Sequence, residues 1–66
     1  MSENKPFHVY IVFYRVREST KTGIGYGDEK IHGVYGSFLS ASLAMDKAKR
    51  LDDNSIYWIN DFPLNN

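Results

Sequence analysis

His8 and His32 are the only two imidazoles in a chain of 66 residues, and no cysteine accompanies them. Imidazole is the side chain best suited to moving a proton near neutral pH. Nucleophilic catalysis, however, needs a Ser, Thr or Cys beside a base that a third group holds in place. His8 opens one apolar run and His32 lies midway along the next. In an antiparallel hairpin closing near Arg17 and Glu29 the two do not face each other. No carboxylate lies within an apolar segment that would raise its pKa into the range of a general acid. The residues therefore predict a protein that is not an enzyme.

Other groupings give no stronger chemistry. Asp52, Asp53 and Asp61 lack the D-x-D-x-D-G spacing of a calcium loop and suit helix capping instead, so no metal is expected. The run GIGYG (Gly23 to Gly27) resembles a phosphate cradle in composition, but such a cradle follows a strand and opens a helix. This one joins two strand-like segments and ends in Asp28 and Glu29, so no cofactor is expected. Tyr10, Tyr14 and Tyr57, interleaved with Arg15 and Arg17, could stack single-stranded bases or nucleotides. Against that stands the charge balance of eight basic and eight acidic residues, where phosphate binding calls for a basic surplus. Protein contact is the leading expectation, and nucleic-acid binding is the alternative.

These residues sit on a short list of elements. The polar lead Met1–Pro6 is expected to be flexible, and the 66 residues form a single domain. FHVYIVFYRVR (Phe7 to Arg17) reads as the first strand, rich in β-branched and aromatic residues. Glu18–Asp28, with three glycines, reads as a long mobile hairpin loop. Glu29–Tyr35 is the second strand, with Gly33 marking a bulge or a close approach. A helix follows, capped by Ser37 and leaving through Asp52–Asn54. Its apolar stripe comprises Phe38, Ala41, Ala44, Met45, Ala48 and Leu51. Ser55–Phe62 is the last strand, stopped by Pro63. The order ββαβ with a right-handed crossover predicts an α+β fold: a three-stranded antiparallel sheet of order 2-1-3 with one helix packed on one face.

The first strand is unusual because both of its faces are apolar. One helix covers one face, and the sequence assigns it to Val9, Ile11 and Phe13. The other face, carrying His8, Tyr10, Val12 and Tyr14 with His32, Val34 and Tyr57, is then left for another molecule. On the helix, Phe38, Leu39 and Leu43 form a second candidate contact surface, the two leucines lying off the core stripe. The expected interface is thus Tyr10, Val12, Tyr14, His32, Val34, Tyr57, Phe38, Leu39 and Leu43.

VYIVFYRV, KIHGVYGS and the helix to KAKRL together resemble a group of small bacterial and phage ββαβ proteins. The marks are Lys30, Gly33, Tyr35, Ser37, Ala41 and Leu51. The resemblance implies the architecture and no particular activity. It departs at the start of the helix, where this chain has Phe38 and Leu39 in place of glutamates.

Five tyrosines, four phenylalanines and one tryptophan are the chief compositional excess. Such rings suit surfaces that are wet in one state and covered in another. A core of this size supplies no more than roughly 3–5 kcal/mol without a staple or partner. The opening MSENKPFHV lacks a signal-peptide pattern, and no run approaches the roughly 18 apolar residues of a membrane span. The expectation is a cytoplasmic protein-binding module of phage accessory or inhibitor type, acting on a larger host protein and associating with itself as a dimer.

Overall fold

Every strand of the sheet pairs with one strand. In the computed structural model, which describes residues 7–64, β1 (Phe7–Thr20) is followed by β2 (Gly23–Tyr26), β3 (Lys30–Tyr35), helix α1 (Phe38–Leu51) and β4 (Ser55–Leu64). β3 pairs antiparallel with Tyr10–Tyr14 of β1, and β4 pairs antiparallel with Phe7–Val16 along the opposite edge. β2 pairs with Arg17–Thr20, extending the β3 side of β1 beyond the helix. The helix crosses from one edge to the other. The α+β class and the 2-1-3 order agree with the sequence reading, with β2 and β3 together occupying the place of the second strand. The expected flexible lead, residues 1–6, lies outside the described residues.

The helix starts and stops where its residues dictate. The Ser37 hydroxyl oxygen accepts from the Ser40 N–H at 3.1 Å, satisfying one of the free amides of the first turn. At the other end the Asp52 N–H donates to the Ala48 carbonyl at 2.9 Å. Lys49 and Arg50 lie in the last turn, where the helix dipole favours cations. Ala41 and Ala48 are buried, and Ala44 and Met45 are half-buried, so small residues let the helix lie close to the sheet. Leu51, expected on this stripe, is 80% exposed because the helix ends there and the chain leaves the sheet surface.

The expected mobile loop is an ordered hairpin. β1 runs on to Thr20, turns through Lys21 and Thr22, and returns as β2. Gly23 takes φ +139°, a conformation that favours glycine. The Thr20 hydroxyl closes the turn by donating to the Gly23 carbonyl at 2.9 Å. Gly25 opposes Glu18, and the Gly27 N–H donates to the Val16 carbonyl at 2.8 Å, tying the arm to the body. The molecule is consequently long and thin, 60 × 22 × 11 Å.

The buried hydrophobic core comprises Val12, Phe13, Ala41 and Ala48. Val12 is fully enclosed, opposite Gly33 on one side and Ile59 on the other. The Tyr35 ring lies across Gly33, so close that an added Cβ would sit 2.6 Å from the phenol oxygen and 2.9 Å from two ring carbons. Two stability changes follow. Val12→Ala should cost about 2 kcal/mol through the cavity it leaves. Gly33→Ala should cost about 1–3 kcal/mol by displacing Tyr35. Thermal melts by circular dichroism would read both, and parent-like melting of either variant would contradict this packing.

Candidate functional site: an uncovered sheet face

Pairing register shows which face of β1 the helix covers, and it is not the expected one. Tyr10, Val12 and Tyr14 share a face with Asp61, Ile59 and Tyr57 of β4. The Phe38 ring at the start of α1 meets the Tyr10 ring edge-on, with centroids 5.9 Å apart. Tyr57 donates its hydroxyl to Asp52 at the helix end, at 3.3 Å. The helix therefore lies over Tyr10, Val12 and Tyr57, and Val9, Ile11 and Phe13 face away from it. The assignment of Val12 to an open interface is corrected: it is 0% exposed and forms the centre of the core.

A bulge separates two residues expected on one face. The β1–β3 register shifts between Val12 and Phe13, so that Gly33 opposes Val12 while Ile31 opposes Phe13. His32 is the extra residue. Its ring meets those of Tyr14 and Tyr57 edge-on, with centroids at 6.3 and 6.0 Å, on the helix side. Val34, opposite Ile11, falls on the uncovered side. Simple alternation places His32 and Val34 together, and the inserted residue parts them.

The helix-side aromatics are occupied. Tyr14 and Tyr57 stack at 5.5 Å, and His8 stacks on Tyr10 at 6.4 Å. His8 Nδ1 lies 3.2 Å from Asp61 Oδ2. A shallow pocket of about 320 Å³ opens between Tyr10, Phe38, Ile59 and Asp61. Its lining is two aromatic rings, an isoleucine and the Asp61 carboxylate that His8 approaches. The two histidines belong to separate clusters. Among the described residues no group of three or more His, Cys, Asp or Glu side chains converges as a metal site.

The opposite face is mostly apolar, with Asn60 the polar residue at its middle. β1 contributes Val9, Ile11 and Phe13, with Arg15 at one end, and β4 contributes Phe62, Asn60, Trp58 and Ile56. Phe13 and Trp58 stack at 5.7 Å, and Phe62 meets Phe13 edge-on at 6.4 Å. On β3, Ile31 and Val34 are 59% and 57% exposed. Pairing of Ser19 with Ile24 and of Arg17 with Tyr26 carries the same face onto the arm. No element among the described residues lies over it. On the helix, Leu39 and Leu43 are exposed, and Phe38 is exposed at the sheet side, where its ring meets Tyr10. Sequence reasoning missed Trp58, Ile31, Ile56 and Phe62 as surface candidates. The alternation itself marks them, since each lies one position away from a residue on the helix side.

Comparison with protein-family models, with curated proteins and with solved structures found no match.

Asp52 joins the helix exit to β4. Its carboxylate accepts from the Asn54 N–H and the Ser55 hydroxyl, both at 2.9 Å, and from Tyr57. These bonds, that from Asn54 foremost, hold its pKa below the ordinary 3.8. Desolvation, then the Asp52 charge, pushes the Tyr57 phenol above its ordinary value of 10.0. A folded carboxyl pKa below the unfolded one adds stability that is complete above about pH 4 and is lost as pH falls through the depressed value. Asp52→Asn should lower the melting temperature at pH 6 and flatten its decline between pH 4 and 2. Melts of the two proteins across that range would check it, and parallel declines would contradict the role given to Asp52.

Proposed function

We propose that this chain is a small non-enzymatic protein-binding module, of the kind phages encode as accessory proteins or inhibitors. It acts by contact with another protein, a larger host protein included, and associates with itself. The cytoplasm is its proposed compartment; among the described residues no helix is long and apolar enough to cross a membrane. The observation that carries this reading is the uncovered sheet face, where Ile31, Val34 and Phe62 stand exposed beside Trp58. Monomeric proteins seldom leave a contiguous apolar patch of that extent to water, and such patches mark contact sites. Depletion of charge at the centre of the patch and enrichment in aromatic residues match the composition of interface cores. The exposed Phe38, Leu39 and Leu43 on the helix offer a second, smaller surface.

Single-strand nucleic-acid binding fits less well. The tyrosine face that would stack bases lies against the helix, with the Tyr10 ring on Phe38 and the Tyr57 hydroxyl on Asp52. Net charge is zero, where backbone binding draws on Lys and Arg. Anisotropy titrations with labelled single-stranded DNA and RNA at two salt concentrations separate the readings. The expected outcome is no binding tighter than about 10⁻⁴ M, the weak end of non-specific association. Saturable micromolar binding that weakens steeply with salt would replace this proposal with the nucleic-acid reading.

A further inference from the structure

We infer that the uncovered sheet face is covered by a second copy of this chain, packed sheet against sheet. The result would be a four-layer dimer with the helices outside. This deepens the protein-binding reading above and rests on it.

Area selects the surface. The face from Val9 to Arg15 spans seven residues of β1 across three strands. At about 3.4 Å per residue and 4.8 Å per strand its flat footprint is roughly 340 Å². The arm, which carries Ile24 and Tyr26 on the same face, adds roughly 130 Å² on the same spacings. Two copies therefore cover about 940 Å² before side-chain relief is counted, just under the roughly 1,000 Å² of a specific interface. The outer helix surface is one helix of 14 residues. That is about 21 Å long and at most about 10 Å wide, less than half the footprint of body and arm together.

Charge selects the orientation. The charged strand residues of this face are Arg15, at one end of the body, and Arg17, at the start of the arm. A two-fold axis running along the strands would set Arg15 against its copy. A two-fold axis across them makes the packed strands antiparallel, separates these arginines from their copies and brings Phe13 and Trp58 towards theirs. Each patch then meets itself, as a two-fold interface requires, at the near-aligned angle usual for stacked sheets.

Trp58, the chain's one tryptophan, is on this face and reports on its cover. Light scattering after size exclusion at micromolar concentration should give about twice 7.6 kDa. On dilution, Trp58 emission should move to the red in step with the fall in mass. Ile31→Lys alters a residue already 59% exposed in the protomer and should weaken association on the order of 100-fold by bringing two like charges together. Leu43→Lys should leave it within about twofold. Because a lone protomer carrying Ile31→Lys could unfold, Ile31→Cys is the second variant. In a chain with no native cysteine, a bis-maleimide spanning the roughly 10 Å between stacked sheets should join Ile31→Cys into a covalent dimer but not Leu43→Cys. A folded 7.6 kDa species at every concentration would overturn the inference. So would a dimer that Leu43→Lys dissociates and Ile31→Lys does not, or cross-linking at Leu43→Cys alone. The last two outcomes leave the protein-binding reading whole; the first removes self-association from it and leaves contact with another protein, which the oligonucleotide titration tests separately.

Discussion

Val12 is the point on which the protomer depends. It is the one large side chain with essentially no exposure, it sits on the strand that pairs with every other strand, and it lies beneath the helix. Gly33 and Ile59 flank it across the two ladders, and Tyr35 fills the space that glycine leaves. Enclosing one valine brings together the bulge, the close-packed alanines of the helix and the crossover between the sheet edges. Few other large side chains share that load. Folding must offset a conformational entropy cost that grows with every ordered residue, and a chain of this length has little apolar area with which to do so.

Much of the architecture was legible. Alternation and β-branched content located β1, β3 and β4. The 3.6-residue stripe with Ser37 before it located the helix, and antiparallel hairpin logic with the right-handed crossover gave the sheet order. The arm was not legible, because Gly23, Gly25 and Gly27 were read as loop residues. Glycine at every second position, with Ile24 and Tyr26 between, keeps the strand period while leaving one side of the ribbon almost bare. Gly25 there has only Thr20 near its missing side chain, at 3.5 Å.

The choice of face was not legible either, and for a firmer reason. In a strand of L-residues, the face a side chain takes and the edge to which its N–H and C=O point are coupled, because successive residues alternate in both. With right-handed crossover fixed, the covered face follows from which alternate residues of β1 bond to β3 and which to β4. That is a matter of register. Register is strongly specified only where one face is apolar and the other polar, and β1 is apolar on both. The extra residue at His32 adds a second ambiguity, parting it from Val34.

The same two-sidedness explains why so much apolar surface remains. A sheet with one polar face can stop at two layers, helix and sheet, with water on the far side. Here Phe13 is almost fully buried on the uncovered side only because Trp58 and Phe62 lean on it within the plane of their own sheet. Lateral contact hides the middle ring and leaves the outer ones wet. Ile31, Val34 and Ile56, nearer the edges, stay exposed. Polar residues at those positions would have met the needs of a two-layer domain at no cost to its core. The partner sheet proposed above would cover apolar residues there as a third layer, giving a use to surface that is surplus in a single chain.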